Sequence, residues 1–239
     1  MKLIYLHHSG FAILANTFTI IIDYNEDSIS ENQGILHNEL LKRKGKMYVL
    51  ASHFHADHFN NNIMKWKEQK EDITYILSRD IYKRRKIGKE EAIWLKKGET
   101  YEDSNIKVKA FGSTDVGISF IIETEGKTIF HAGDLNNWHW MDESSEDEWK
   151  RDEKRFIDEI GQIKKGYNKI DLAMFPIDPR LGKEYMRGGI QFIEAINTSM
   201  FIPMHFWNDF VSANKFQTYA REHGVSSPDI KYRGQEFDV

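Results

Sequence analysis

Three histidines and one aspartate lie within six residues, directly after an apolar segment of the chain. His53, His55, Asp57 and His58 give the order H-x-H-x-D-H, and the apolar residues 47–51 before them are predicted to form a buried strand. Alternate residues at a strand end share a face, so His53 and His55 can reach one ion, while Asp57 and His58 point to a second position. Imidazole and carboxylate are ligands that zinc and similar divalent metals prefer. The cluster predicts a fold that holds metal at the end of a buried strand.

The composition limits what else the chain can be. Its 239 residues are 40% hydrophobic and 13% aromatic, which is enough for a sizeable core. Only four prolines occur and no Gly/Ser-rich tract separates two parts, so residues 1–239 are predicted to form a single domain. Because the chain has no cysteine, metal ligands are restricted to His, Asp and Glu.

The net charge and the lengths of the apolar runs indicate which partners and which cell compartment to expect. The net charge of −4 argues against nonspecific nucleic-acid binding, and the basic run at residues 83–86 is interpreted as a solvated helix end. No apolar run approaches the roughly 18 residues that a membrane helix needs. The first eight residues are too short and too polar for a secretory signal. We therefore expect a cytoplasmic protein with a small-molecule substrate and no membrane or nucleic-acid partner.

Two hairpins with acidic ends occur in the sequence. Residues 9–14 and 17–22 form the first predicted hairpin, which ends at Asp23, and residues 118–124 and 127–130 form the second, which leads to Asp134. This repetition suggests a duplicated architecture in which each half delivers a carboxylate at a strand end. Strands alternate with helices between and after the hairpins, which favours two sheets with helices outside.

Two helices are predicted towards the C-terminus. Residues 185–197 form a helical pattern that we expect to be interrupted at Gly188 and Gly189. Residues 212–223 form another, with Ser212 as N-cap and Gly224 just beyond the helix end.

Further polar residues follow predicted strands, at positions where sites assemble in α/β folds. They are Asp23, Asp134, Asp178 and His205. Each of these residues alone is weak evidence for a metal site. A single histidine is more often packed in a core, and a single aspartate more often belongs to a turn. Together with the histidine cluster they form a candidate two-metal site, in which Asp134 is the natural bridging carboxylate.

The H-x-H-x-D-H motif, Asp134 after Gly133, and His205 together resemble the metallo-β-lactamase superfamily of hydrolases. Residues 127–134 and 203–206 are most similar to a branch of bacterial metal-dependent hydrolases near the L-ascorbate-6-phosphate lactonases, and His8 after a short first strand also matches. The resemblance implies an α/β fold, an αββα four-layer sandwich of two mixed β-sheets with helices outside and metals at one edge.

The resemblance also implies a metal-dependent hydrolase with one or two divalent ions, zinc first and manganese or iron as alternatives. His53 and His55 would bind the first ion; Asp57, His58 and His205 would bind the second; Asp134 would bridge them. Asp23 would orient ligand histidines through hydrogen bonds. The substrate would be a small, anionic ester, lactone or phosphodiester attacked by a metal-activated water, with Asp57 also placed at the reacting centre.

One departure from the family pattern concerns the first metal. The superfamily has a further histidine before the second hairpin, whereas residues 110–117 contain none. Asp115 is the favoured replacement, with Ser113 beside it, and an oxygen ligand would favour manganese or iron over zinc. The alternatives are that His131 or His139 supplies the ligand, or that the first site is weak or empty.

Four other residues are candidates for the site. Trp138 could line a substrate pocket, and His139 could be a ligand or a proton donor to the leaving group. Arg180 could clamp an anionic substrate group, and the alternative interpretation is a surface ion pair with Asp178 or Glu184. His8 is expected to approach the catalytic centre from its strand.

A non-catalytic metal-binding or ligand-sensing member of the same fold is the alternative function. The missing histidine favours it, whereas retention of Asp57, His58, Asp134 and His205 argues against it, because a bare scaffold has no need for so many desolvated ligands. A nuclease of the superfamily is disfavoured by the acidic net charge.

Overall fold

Two mixed β-sheets, one of seven strands and one of six, form the framework of the chain. The computed structural model describes residues 1–239, which divide into two compact units. The first unit comprises Met1–Lys96 with Lys231–Val239, and the second comprises Lys97–Ile230. Two mixed sheets with helices confirm the predicted α/β fold class, and the single domain over residues 1–239 stays a prediction.

The first unit contains the seven-stranded sheet, in the order β13-β1-β2-β3-β4-β5-β6. Its strands are β1 Lys2–His7, β2 Gly10–Leu14, β3 Phe18–Ile22, β4 Lys46–Ala51, β5 Ile73–Ser78, β6 Ile93–Leu95 and β13 Glu236–Asp238. Its helices are α1 Ile35–Asn38 and α2 Arg79–Arg85, with 3₁₀ turns at Leu40–Lys42, Asn61–Glu68 and Lys89–Glu91. The predicted first hairpin is confirmed as the antiparallel pair β2–β3.

The strand that precedes the histidine cluster is buried on both faces. Met47 and Val49 of β4 belong to the core cluster that also contains Trp66 and Ile81, while Tyr48 and Leu50 on the opposite face are equally buried. Strands β3, β4 and β5 run parallel, so their carboxyl ends meet at one edge of the sheet. The residues that follow these three strands are therefore brought together.

The second unit contains the six-stranded sheet, in the order β12-β11-β10-β9-β8-β7. Its strands are β7 Thr100–Glu102, β8 Lys107–Phe111, β9 Ser119–Thr124, β10 Lys127–His131, β11 Lys169–Pro176 and β12 Asn197–Met204. Its helices are α3 Glu146–Gly166, α4 Arg187–Ala195, α5 Phe210–Asn214 and α6 Phe216–Glu222, with a 3₁₀ turn at Pro179–Glu184. No helix of either unit combines the length and apolar character that a membrane crossing requires.

The second sheet repeats the connectivity of the first. The hairpin β9–β10 is antiparallel, and β10 is followed by the parallel strands β11 and β12. In the first sheet the hairpin β2–β3 is likewise followed by the parallel strands β4 and β5. The duplication that the sequence suggested is thus present in the order and direction of the strands.

Two details of the predicted helices are wrong. Gly188 and Gly189 lie inside α4 and do not interrupt it. A Cβ atom at Gly189 would lie 2.7 Å from Ile177 and 3.0 Å from Phe216, so the glycine permits close packing and does not break the helix. The predicted helix over 212–223 is divided into α5 and α6.

The cap of α5 also differs from the prediction. Asp209 is the N-cap of this helix, because its side chain accepts a hydrogen bond from the backbone N–H of Ser212. Gly224 lies just beyond the end of α6 with a φ of 73°, as predicted.

Candidate functional site

Asp23 and Ser52 fix the start of the histidine loop in the first unit. They follow the parallel neighbours β3 and β4 and are fully buried. Asp23 accepts hydrogen bonds from the backbone N–H and the hydroxyl of Ser52, at 2.7 and 2.6 Å, and its Oδ2 lies 2.7 Å from Nδ1 of His58. A carboxylate at Nδ1 fixes the imidazole so that Nε2 is directed to the opposite side. Asp23 therefore has the geometry of the orienting group that the resemblance implies.

His53 and His55 lie next to each other at the end of β4. Nε2 of His53 is 3.0 Å from Nδ1 of His55, and Nδ1 of His53 is 3.0 Å from the hydroxyl of Ser52. The ring of His58 is also close, with a centroid 4.2 Å from that of His53. The three imidazoles of the motif thus form one cluster.

His8, Asp57 and His58 form a second group of potential ligands. Oδ2 of Asp57 lies 3.3 Å from Nε2 of His8 and 3.8 Å from Nε2 of His58. Two ligand atoms that bind one zinc ion tetrahedrally at about 2.1 Å are separated by about 3.4 Å. The donor types and their spacing therefore fit a divalent metal ion, with His8 beside Asp57.

Helix α2 holds the backbone between the first two histidines. The backbone N–H of Phe54 donates to Oδ2 of Asp80 at 2.9 Å, and Arg85 donates to the carbonyl oxygen of the same residue. Sequence reasoning missed both side chains. Asp80 follows β5, the parallel neighbour of β4, so the rule that placed polar residues at strand ends could have found it.

Asp134, Asp178 and His205 assemble at the edge of the second sheet, because they follow the adjacent parallel strands β10, β11 and β12. Oδ2 of Asp178 lies 2.9 Å from Nδ1 of His205, and Nε2 of His205 lies 3.2 Å from Oδ1 of Asp134. All three are buried. The second unit thus has the same arrangement as the first, with one carboxylate at Nδ1 of an imidazole and another near its Nε2.

The carboxylate of Asp178 is held in its charged form. Burial alone would raise its pKa, but hydrogen bonds with His205 and Arg180 outweigh burial and lower the pKa to about 2. Nε of Arg180 donates to both carboxylate oxygens at 3.0 Å. The ion pair that the sequence left open is therefore formed, while 53% of the Arg180 side chain stays exposed.

Trp138 lies beside His205. Its ring centroid is 5.3 Å from that of His205, and its indole N–H donates to the carbonyl oxygen of Asp134 at 2.8 Å. Trp140 lies parallel to it, at 6.4 Å between centroids. Trp138 therefore lies where it can line one side of a pocket next to His205, and substrate binding by Trp138 stays a prediction.

The structure does not bring His139 or Asp115 into these groups. His139 is buried, its Nε2 lies 3.2 Å from the carbonyl oxygen of Glu184, and its Nδ1 accepts from the backbone N–H of Met141. Asp115 is exposed, and its backbone N–H donates to the hydroxyl of Ser113. The role of His139 as a proton donor and the role of Asp115 as a metal ligand stay predictions.

His131 is the other alternative for the missing histidine. It ends β10 and is fully buried, and its Nδ1 accepts a hydrogen bond from the backbone N–H of Gly133. This contact shapes the turn that leads to Asp134.

Three site residues have left-handed backbone conformations. The φ angles are 53° for His8, 47° for Asp23 and 65° for His205. Such angles are uncommon for residues other than glycine and cluster at functional sites, where the surrounding structure maintains them. Their position at strand ends therefore gives independent support for a functional site.

A family model described as a beta-lactamase superfamily domain matches residues 2–149. No curated protein sequence matches the chain significantly.

Solved structures with the same fold cover the whole chain. Igni18, a metallo hydrolase from the archaeon Ignicoccus hospitalis, is 19% identical, covers 100% of this chain and 98% of its own, and has a TM-score of 0.68. The metallo-β-lactamase fold protein YhfI from Bacillus subtilis is 12% identical over 99% of both chains, with a TM-score of 0.65. CmlA, a diiron β-hydroxylase from Streptomyces venezuelae, is 10% identical over 100% of this chain and 54% of its own, with a TM-score of 0.69. These similarities confirm the predicted metallo-β-lactamase-like fold.

Proposed function

The chain belongs to the beta-lactamase superfamily, and we propose that it is a metal-dependent hydrolase. The observation that carries the proposal is the carboxylate–imidazole pair present in each unit, Asp23 with His58 and Asp178 with His205. Such pairs are typical of histidines that bind metal, because the carboxylate fixes the ring and raises the basicity of the second nitrogen.

The proposed ligands follow the family pattern. His53 and His55 would hold one ion, Asp57, His58 and His205 would hold the other, and Asp134 would contact both. All donors are nitrogen or oxygen, a set that zinc, manganese and iron accept. We propose zinc first; the diiron neighbour CmlA supports iron as an alternative for this fold.

Within this site, Asp57 and His8 are proposed to handle protons. A divalent ion held there would acidify a water molecule and polarise the scissile group. The carboxylate of Asp57 would accept a proton from a water held there, and His8, whose Nε2 lies 3.3 Å from Oδ2 of Asp57, would receive it in turn. Asp23 and Asp178 keep the two imidazoles oriented throughout.

The proposed substrate is a small anionic ester, lactone or phosphodiester, as in the branch near the L-ascorbate-6-phosphate lactonases. The exposed part of the Arg180 guanidinium is proposed to contact the anionic group, although Asp178 neutralises much of its charge. Trp138 is proposed to form the apolar wall beside it.

Metal analysis with a substrate panel tests the proposal. Protein reconstituted with zinc, manganese or iron is expected to retain at least one ion per chain and to hydrolyse members of an ester, lactone and phosphodiester panel. His55→Ala is expected to lose both properties. His223→Gln, which changes an exposed histidine just after the end of the last helix, is the matched control and should keep both.

These measurements distinguish a metal-dependent hydrolase from a non-catalytic metal-binding or sensing protein. Metal retention without turnover of any substrate would favour a sensing role, and failure to retain metal would remove the proposal altogether. Asp115→Ala tests the replacement ligand, since it lowers the metal content if Asp115 binds an ion.

A further inference from the structure

The segment from Arg79 to Lys89 is strongly basic in a chain whose net charge is −4. It contains six basic residues and a single acidic one, Asp80, whose carboxylate is engaged by the backbone of Phe54. The first part of the segment is helix α2. Basic side chains therefore outnumber acidic ones by five within the segment, and Glu90 and Glu91 follow it directly.

Part of this charge lines a groove in the first unit. The groove has a volume of about 390 Å³ and is lined by Arg79, Tyr82, Lys83, Lys89 and Trp94. Three of these residues lie on α2 at spacings of three and four, which places them on one face of the helix. None of them belongs to the predicted metal ligands.

The remaining basic residues of α2 face elsewhere. The guanidinium groups of Arg84 and Arg85 lie over the ring of Phe54, at 5.3 and 5.9 Å from its centroid. The nearby carboxylate of Glu91 is paired with Lys67 and does not line the groove. The lining therefore combines three cationic side chains with two aromatic rings and contains no carboxylate.

The two aromatic rings form a fixed surface. The centroids of Tyr82 and Trp94 are 5.2 Å apart, and the indole N–H of Trp94 donates to the carbonyl oxygen of Lys89 at 2.8 Å. Tyr82 is 42% exposed, so part of its ring remains accessible. Because the two ring planes are inclined by 52°, a flat ligand group can stack on one ring and contact the edge of the other.

We propose that this groove binds a nucleoside monophosphate. The base would stack on the exposed ring of Tyr82 with Trp94 at its edge, and the phosphate would contact Lys83 and Lys89, with Arg79 adding positive charge. The volume lies within the range of about 300–1,000 Å³ typical of small-molecule sites. One ring pair beside one cationic cluster favours a mononucleotide over a nucleic-acid strand, which needs repeated stacking positions.

Calorimetric titration of the metal-loaded full chain with AMP tests the proposal. AMP is expected to bind once per chain, and adenosine and inorganic phosphate are each expected to bind at least about tenfold more weakly, because each supplies only half of the contacts. The double variant K83A/K89A is expected to weaken AMP binding about tenfold or more. K65A/K86A removes the same charge outside the groove and should have little effect.

Three results would overturn the proposal: no binding of AMP, equal losses in the two double variants, or inorganic phosphate binding as tightly as AMP. Tighter binding of a single-stranded oligonucleotide than of AMP would also overturn it in favour of a nucleic-acid surface. His55→Ala should bind AMP as the unmodified chain does, which separates this groove from the proposed metal site and from its function.

Discussion

The guanidinium of Arg85 donates two hydrogen bonds to the backbone carbonyl oxygen of Phe54, at 3.1 Å from Nε and 2.5 Å from Nη2. Phe54 lies between His53 and His55, and its N–H is held by Asp80 of the same helix. Both polar groups of this backbone residue are therefore fixed by α2. The spacing of the two imidazoles depends on a helix that supplies no proposed metal ligand.

Arg85→Gln is expected to weaken metal binding by about tenfold, at the lower end of the range for lost outer-shell contacts. The reason is that the loop carrying His53 and His55 loses its anchor. Competition with a coloured chelator measures the change. Arg84→Gln is the matched control, since Arg84 also lies over the Phe54 ring but donates no hydrogen bond to its carbonyl. Equal effects of the two changes would contradict this role for Arg85.

Asp178→Asn is expected to lower metal affinity by about 10–100-fold, the range known for such partners. The amide is neutral, so it neither raises the basicity of His205 nor pairs fully with Arg180. Competition with the same coloured chelator measures the metal affinity of this variant. Asp158→Asn on the exposed face of α3 is the control. An unchanged affinity would show that His205 does not need Asp178 to bind metal.

The buried imidazole of His139 should make the protein less stable in acid. Burial lowers its pKa below the ordinary value of 6.5, partly offset by the contact with the carbonyl oxygen of Glu184. The unfolded chain then takes up a proton that the folded chain refuses, so stability falls as the pH drops below about 6.5.

His139→Asn removes this titration and should lose less stability between about pH 7.5 and pH 5 than the unmodified chain. Urea unfolding at both pH values measures the difference. An identical loss in the two proteins would show that His139 does not contribute. The variant's lower stability at neutral pH, from its missing backbone contacts, does not affect this comparison of slopes.

Two helical glycines should respond to alanine in opposite directions. Gly189→Ala places a Cβ atom within 3.2 Å of Ile177, Phe216 and Phe201, and overpacking of this kind costs about 1–3 kcal/mol. Gly161→Ala in α3 meets no atom within 4 Å and should add about 0.5–1 kcal/mol through higher helix propensity. Urea unfolding measures both. Destabilisation of similar size at the two positions would refute the packing argument.

The parts of the candidate site that the sequence groups together are those encoded in a short stretch. His53, His55, Asp57 and His58 follow one apolar run, so a strand and its end suffice to group them. Asp134 and His205 were placed correctly at strand ends for the same reason. In each case the local pattern of hydrophobic residues is enough to predict the strand and where it ends.

The parts that it missed depend on contacts between distant segments. Asp80 reaches Phe54 only because β4 and β5 are adjacent and parallel, a pairing that neither strand encodes alone. Gly189 looked like a helix breaker because its intrinsic propensity is low, yet packing against Phe216 determines its place in α4. Tertiary contacts override local preference at both positions.

The repeated strand order has a consequence for how the site can vary. Each sheet positions its own imidazole and carboxylates at the ends of its own parallel strands, so changes in the loops of one sheet can alter that set while the other is inherited unchanged. Such independent variation offers a route by which one fold carries different chemistries, as it does in the archaeal hydrolase and the bacterial hydroxylase that share it.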